Sequence, residues 1–162
     1  MEMIHIEPDQ DLSVVVQVLN ESHATVAEEF HFTKETNPSN NAFIDAAALK
    51  SQLSKGLDLF AMLDENQWVG CIAIEKSLKE QDTFYIEKVS VIPCARHKGY
   101  GVRLMDFALS RIMGLGGKRV SIALIDSNSR LKKWYSSQGF KETGIKDFAH
   151  LPFRVCFMSK EL

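Results

Sequence analysis

Apolar positions along the chain switch between a helical and a strand spacing, and the switches mark out its elements. Ile4 to Ile6 opens a first strand, and Asp9 or Asp11 then starts a helix. On it Leu12, Val15, Val16 and Leu19 fall at i, i+3, i+4 and i+7, one buried stripe. Residues 21 to 41 are polar and end in Asn37-Pro38-Ser39-Asn40-Asn41, which predicts a loop. Phe43 to Lys55 reads as a second helix closed by Gly56. Leu57 to Leu63, Trp68 to Glu75 and Phe84 to Ile92 are rich in branched and aromatic residues and predict three strands. Asp64 to Gln67 turns the first hairpin. A strongly amphipathic helix follows over Gly101 to Gly114, with Met105, Ala108, Leu109 and Ile112 on one face. Val120 to Ile125 is a short strand. Asn128 to Gln138 is a helix that Gly139 suits as C-terminal cap, and Phe140 to Ile145 and Phe153 to Met158 end the chain as strands.

The order is strands first, then strand–helix–strand–helix–strand–strand. Phe84 to Ile125 is a βαβ crossover, which puts a parallel pair at the centre of a mixed sheet. No repeat, low-complexity tract or linker interrupts the 162 residues, so one domain spans 1–162, large enough to hold a core without metals or disulfides.

Composition narrows the function classes. Nineteen basic against twenty-one acidic residues leave a formal charge of −2, no global field for nucleic acid or an anionic membrane. No apolar run approaches the ~20 residues that span a bilayer, and the two glutamates before Pro8, with no basic residue among them, argue against a secretory signal. Cys71, Cys94 and Cys156 are isolated, and His5, His23, His31, His97 and His150 show no HxH, HxxxH or HExxH spacing, so neither a disulfide framework nor a metal site is expected. The expectation is a cytosolic protein with reduced thiols.

The most informative segment is Val89 to Val102. A strand ends at Ile92-Pro93, a basic loop with Arg96 and Lys98 follows, and Gly99 and Gly101 open a long helix. Glycine lets backbone N–H groups approach a ligand, and a helix N-terminus offers free donors and a positive dipole end, which suit a phosphate. Read alone, the segment is equally a basic surface turn with a glycine cap. It contains neither GxGxxG nor GxxxxGK[ST].

Arg96-x-x-Gly99-x-Gly101 between strand and helix resembles the signature of the GCN5-related N-acetyltransferases (GNAT). The resemblance continues through Val120–Ile125, Asn128 and Tyr135-Ser-Ser-Gln-Gly139-Phe140. It implies the acyl-CoA N-acyltransferase fold, an α/β (α+β) architecture with a mixed, mostly antiparallel sheet of about seven strands, a splayed central parallel pair and about four helices. It further implies acetyl transfer from acetyl-CoA to an amine. By the same resemblance the pyrophosphate sits on Arg96, His97, Lys98, Gly99, Tyr100, Gly101 and Val102. The pantetheine arm runs between the parallel strands beside Val89, Ser90 and Val91, pairing with main chain like an added strand. Asn128 matches a cofactor-contacting asparagine, and Tyr135 matches a tyrosine that protonates the departing thiolate.

Other roles stay open at these positions. Tyr135 shares an apolar face with Leu131 and Trp134 and also reads as a core aromatic, and Asn128 also reads as a helix N-cap. Glu87 is the candidate base, because strict alternation sets Tyr85, Glu87, Val89 and Val91 on one face, where apolar neighbours would raise a carboxyl pKa. It also reads as a structural carboxylate. The acceptor site is expected between Phe30–Asn41 and Asp147–Phe153, with Glu28, Glu29, Glu35 and Asp147 available to attract a cationic amine. The acceptor expected is a small-molecule amine; a protein amine, a coenzyme A-binding sensor without catalysis and a nucleotide-binding domain are the alternatives. Many relatives form homodimers through sheet edges, an assembly open to this chain.

Overall fold

The computed structural model describes all 162 residues, in seven strands and four α-helices. In chain order these are β1 (Glu2–Ile6), α1 (Ser13–Glu29), α2 (Ala46–Ser54), β2 (Asp58–Asp64), β3 (Gln67–Lys76), β4 (Thr83–Val91), α3 (Tyr100–Gly114), β5 (Arg119–Ile125), α4 (Ser129–Ser137), β6 (Lys141–Asp147) and β7 (Arg154–Glu161). The strands form one sheet in the order β1-β2-β3-β4-β5-β7-β6. Every pairing is antiparallel except β4 with β5, the pair that the crossover required.

Two of the differences from the sequence reading lie in the segment ahead of β2. Residues 21 to 29, read as loop, continue α1. They contain no glycine or proline, and Ser22 and Ala27 extend the buried face that Val15, Val18 and Leu19 begin. Glu21, Glu28 and Glu29 lie on the helix's exposed side, whereas the polar Ser22 and His23 turn inward. The second helix starts at Ala46 rather than Phe43, because the Asp45 carboxylate accepts from Ala48 N–H at 2.8 Å and caps it there. A single 3₁₀ turn, Asn41–Phe43, precedes it.

A third difference bears on the site. β4 does not alternate strictly. Gly70 of β3 pairs with Val91, Cys71 with Ser90, but Ala73 pairs with Glu87, so one extra residue sits on β4 at Lys88, whose φ is +54°. This bulge returns Glu87 and Ser90 to the same face and moves Val91 to the other. The expected single face of Tyr85, Glu87, Val89 and Val91 is therefore broken at Lys88. The Gly70–Val91 face packs on α3 through Leu104, and the Cys71–Ser90 face meets α1 through His23. The two helices thus cover opposite sides of the sheet.

Candidate active site

β4 and β5 pair over only three positions, Thr83 with Arg119, Phe84 with Val120 and Tyr85 with Ser121. Beyond them the strands diverge, and the bulge at Lys88 bends β4 away. The opening leads to a cavity of about 510 Å³ walled by Ile86 and Glu87 of β4, Ser121 to Ile125 of β5, and Val155 and Phe157 of β7. Asn37, Ser39, Asn40 and Asn41 close it from the α1–α2 connection, and Leu151 and Phe153 from the β6–β7 connection. These are the two segments that the sequence set around an acceptor. A second cavity, about 460 Å³, lies on the other face of the sheet beside His5, Ile74 and Phe84, and holds none of the expected site residues.

Of the carboxylates the sequence singled out, only Glu87, the candidate base, lines the main cavity. Glu29 pairs with Arg130 at 2.7 Å and Asp147 with Arg154 at 3.4 Å, and neither lines it; nor do Glu28 and Glu35. Glu75 and Glu87 do. Glu87 keeps 43% of its side-chain surface, yet that surface opens into the confined cleft. Desolvation there raises its carboxyl above the usual range, the Lys88 ammonium opposes this, and Glu75 adds to it.

Three residues at or beside the cavity had no role of their own in the sequence reading: His23, Asn41 and Lys88. His23 continues the α1 stripe at i+4 from Leu19, and its Nε2 lies 3.0 Å from Ser90 Oγ. Ser90 Oγ donates its one hydrogen to the Lys88 carbonyl at 2.8 Å, so the His23 Nε2 carries the hydrogen that the serine oxygen accepts. Burial, then Lys88 and Arg96, depress the imidazole to about 4. Lys88 donates to Asn41 Oδ1 at 2.8 Å. A lysine inside a strand rich in branched and aromatic residues was the signal available for it.

The glycine loop leads into α3 through left-handed backbone. His97 and Gly99 both have positive φ (63° and 83°), and Gly99 is the N-cap of α3 without a side-chain cap. The first helical bond runs from Arg103 N–H to the Gly99 carbonyl, so the N–H groups ahead of it have no partner in the helix. A Cβ at Gly99 would meet nothing within 4 Å, whereas one at Gly101 would lie 3.2 Å from the Trp134 ring. Gly99 leaves room for a ligand; Gly101 leaves room for α4. The Arg96 guanidinium faces inward, donating to Val91 O (3.2 Å), Ser22 O (2.8 Å) and Thr25 Oγ1 (3.0 Å). It fastens α1 to the end of β4, which leaves Lys98 as the loop's free cation. The Tyr100 hydroxyl donates to Asp64 at 2.5 Å.

On α4, Asn128 is the N-cap, its Oδ1 accepting from Leu131 N–H at 3.2 Å. Tyr135 is 7% exposed, packed edge-on against Trp134 (4.9 Å) and Phe140 (5.7 Å). Burial alone pushes its phenol up. Neither residue lines the main cavity; the Trp134–Gly101 contact puts α4 beside the glycine loop instead.

A family model described as acetyltransferase (GNAT) family matches residues 21–140. No curated protein matches the chain in sequence. Among solved structures, the PaiA N-acetyltransferase of Thermoplasma acidophilum, in complex with coenzyme A, superposes with a TM-score of 0.80 at 15% identity, covering 100% of both chains. The ribosomal-protein-S18-alanine N-acetyltransferase of Escherichia coli gives 0.75 at 15%, over 99% of this chain and 92% of that one. An aminoglycoside 6'-acetyltransferase type Ii gives 0.71 at 16%, over 99% and 97%. At such identities these likenesses establish the fold.

Proposed function

The chain belongs to the acetyltransferase (GNAT) family, and from that premise we propose that it moves an acetyl group from acetyl-CoA directly onto a primary amine of a small molecule. Family membership makes it an acyl-CoA-dependent N-acetyltransferase with acetyl-CoA as cosubstrate. The observation that carries the reading is the loss of β4–β5 pairing past Tyr85 and Ser121, which opens a cleft onto a 510 Å³ cavity beside a glycine loop.

The residues present fit the cosubstrate. Open space over Gly99 and the free N–H groups of the turn past Arg96 suit a pyrophosphate, with His97, Lys98 and Tyr100 around it and Asn128 on the adjoining helix. Val89, Ser90 and Val91 lie on the part of β4 that no longer pairs with β5; the Val91 carbonyl is already held by Arg96, so Val89 offers the freer acceptor. When bound, acetyl-CoA supplies an activated thioester carbonyl. Glu87, with its raised pKa, takes the proton from an ammonium arriving through the cavity. Tyr135 stays protonated at neutral pH and holds its proton for the departing sulfur.

Two further observations favour a small acceptor in a reducing compartment. Phe32 and Phe153 meet at 5.1 Å and bridge the two connections that frame the cavity, which narrows it against a folded partner. All three cysteines are free thiols, which suits the cytoplasm, and no helix is long and apolar enough to cross a membrane.

The test is free-thiol release from acetyl-CoA with polyamines, amino acids, aminoglycosides and a peptide bearing a free N-terminus. Release with a small amine and none with the peptide bears the proposal out. Release with the peptide alone overturns the small acceptor, and release with none overturns transfer.

A further inference from the structure

We propose that Lys88 is a positioning residue of the acceptor site, a buried ammonium that fixes Asn41 and keeps the neighbouring Glu87 carboxylate charged. This rests on reading the main cavity as that site.

Lys88 occupies the bulge in the left-handed region, where a non-glycine residue persists only if its surroundings hold it there. Its side chain is 3% exposed. A fully buried lysine is rare unless paired, and its pairing here is directional. Nζ donates to Asn41 Oδ1 at 2.8 Å and stands 4.0 Å from Glu87 Oε2. Its carbonyl takes the Ser90 hydroxyl, whose oxygen in turn takes His23 Nε2–H, which leaves His23 Nδ1 as an acceptor. One residue thus sets three cavity-lining groups on three elements: Asn41 on the α1–α2 connection, His23 on α1 and Glu87 on β4.

The charges around Lys88 leave Glu87 as its counter-ion. From β3, Cys71 is buried with its thiol pushed up to about 12, hence neutral. From α1, His23 is held neutral, in part by Lys88 and by Arg96. Glu75 acts on Glu87 with the opposite sign and favours its protonation. Without the ammonium, a carboxyl confined beside a second carboxylate would take up a proton and cease to be a base.

The experiment is a carbon-13 titration of glutamate carboxyls in the full-length chain, with Glu87 assigned by its loss in Glu87→Gln. Lys88→Met should raise the Glu87 midpoint by about 1–3 pH units, the effect of removing an opposite charge at this range. Lys88→Gln, neutral but able to bond Asn41, should do the same and serves if the methionine variant does not fold. Lys88→Arg should return the midpoint most of the way to wild type, which a purely structural role would not require. A midpoint that stays within about 0.3 unit in a folded neutral variant overturns the proposal. The readout involves no acetyl transfer, so it stands or falls separately from the thiol-release test.

Discussion

At the scale of single residues the surroundings push pKa values apart. Tyr135 is held protonated by burial against Trp134 and Phe140, a useful state only if its proton is delivered. Tyr135→Phe keeps the ring and its packing and removes the proton. It should lower kcat by roughly 10–100-fold while acetyl-CoA affinity stays similar, read by steady-state kinetics and direct titration. An unchanged kcat would return Tyr135 to a packing role. His23 makes a prediction about stability. Its folded value, about 4, lies below its ordinary 6.5, so the unfolded chain binds the proton first. Stability is therefore full above pH 6.5 and is lost as pH falls toward 4, on the order of 2–3 kcal/mol from this group. Glu87, with a raised value, works with the opposite sign and offsets part of it. Urea unfolding across that window should show the slope, and His23→Gln should flatten it; an equal slope in the variant would mean that other groups carry the acid sensitivity.

At the scale of elements the decisive feature is one extra residue on β4. The bulge lets β4 leave β5 after three pairs, and it depends on a close approach across β3: a Cβ at Gly70 would lie 2.2 Å from the Ser90 carbonyl oxygen and 3.1 Å from Leu104 Cδ1. Backbone cannot step aside as a flexible side chain can. Gly70→Ala should cost about 1–3 kcal/mol, a fall in Tm of roughly 3–10 °C. Gly144→Ala, with nothing within 4 Å, should change stability by less than about 0.5 kcal/mol. Equal Tm values in the two variants would contradict the close approach. The same bulge marks where sequence reasoning stopped. Period-2 alternation located β4 and its apolar residues, and the βαβ order gave the parallel pair, because both depend on local pattern. Nothing local announces that Lys88 adopts φ +54°, so alternation was carried through it and put Glu87 and Val91 on one face. The Arg96-x-x-Gly99-x-Gly101 turn was legible as a loop, but not the inward swing of Arg96, which depends on Ser22 and Thr25 more than 70 positions earlier. His23 and Asn41 were invisible for the same reason: their partners, Ser90 and Lys88, are remote in sequence.

At the scale of the molecule one seven-stranded sheet is the frame. α1 and α3 clamp its two faces, Arg96 ties the glycine loop to α1, and the Gly101–Trp134 contact ties that loop to α4. A ligand seated on the loop would be held by elements from both halves of the chain, so its binding free energy should appear in global unfolding rather than in a local loop. At 100 times its Kd such a ligand adds about 2.7 kcal/mol, roughly 5–10 °C for a domain of this size. Thermal unfolding with acetyl-CoA, coenzyme A, ATP and NAD at equal concentration separates the parts of the site. Arg96–Val102 alone would recognise a pyrophosphate and respond to all four. The cleft past Tyr85 and Ser121 leaves strand edges unpaired, where the pantetheine amides that only the two coenzyme A forms carry would find partners. A shift confined to those two is expected. Equal shifts with ATP and NAD would mean that the cleft contributes nothing to recognition, and the splayed strands would then need another purpose.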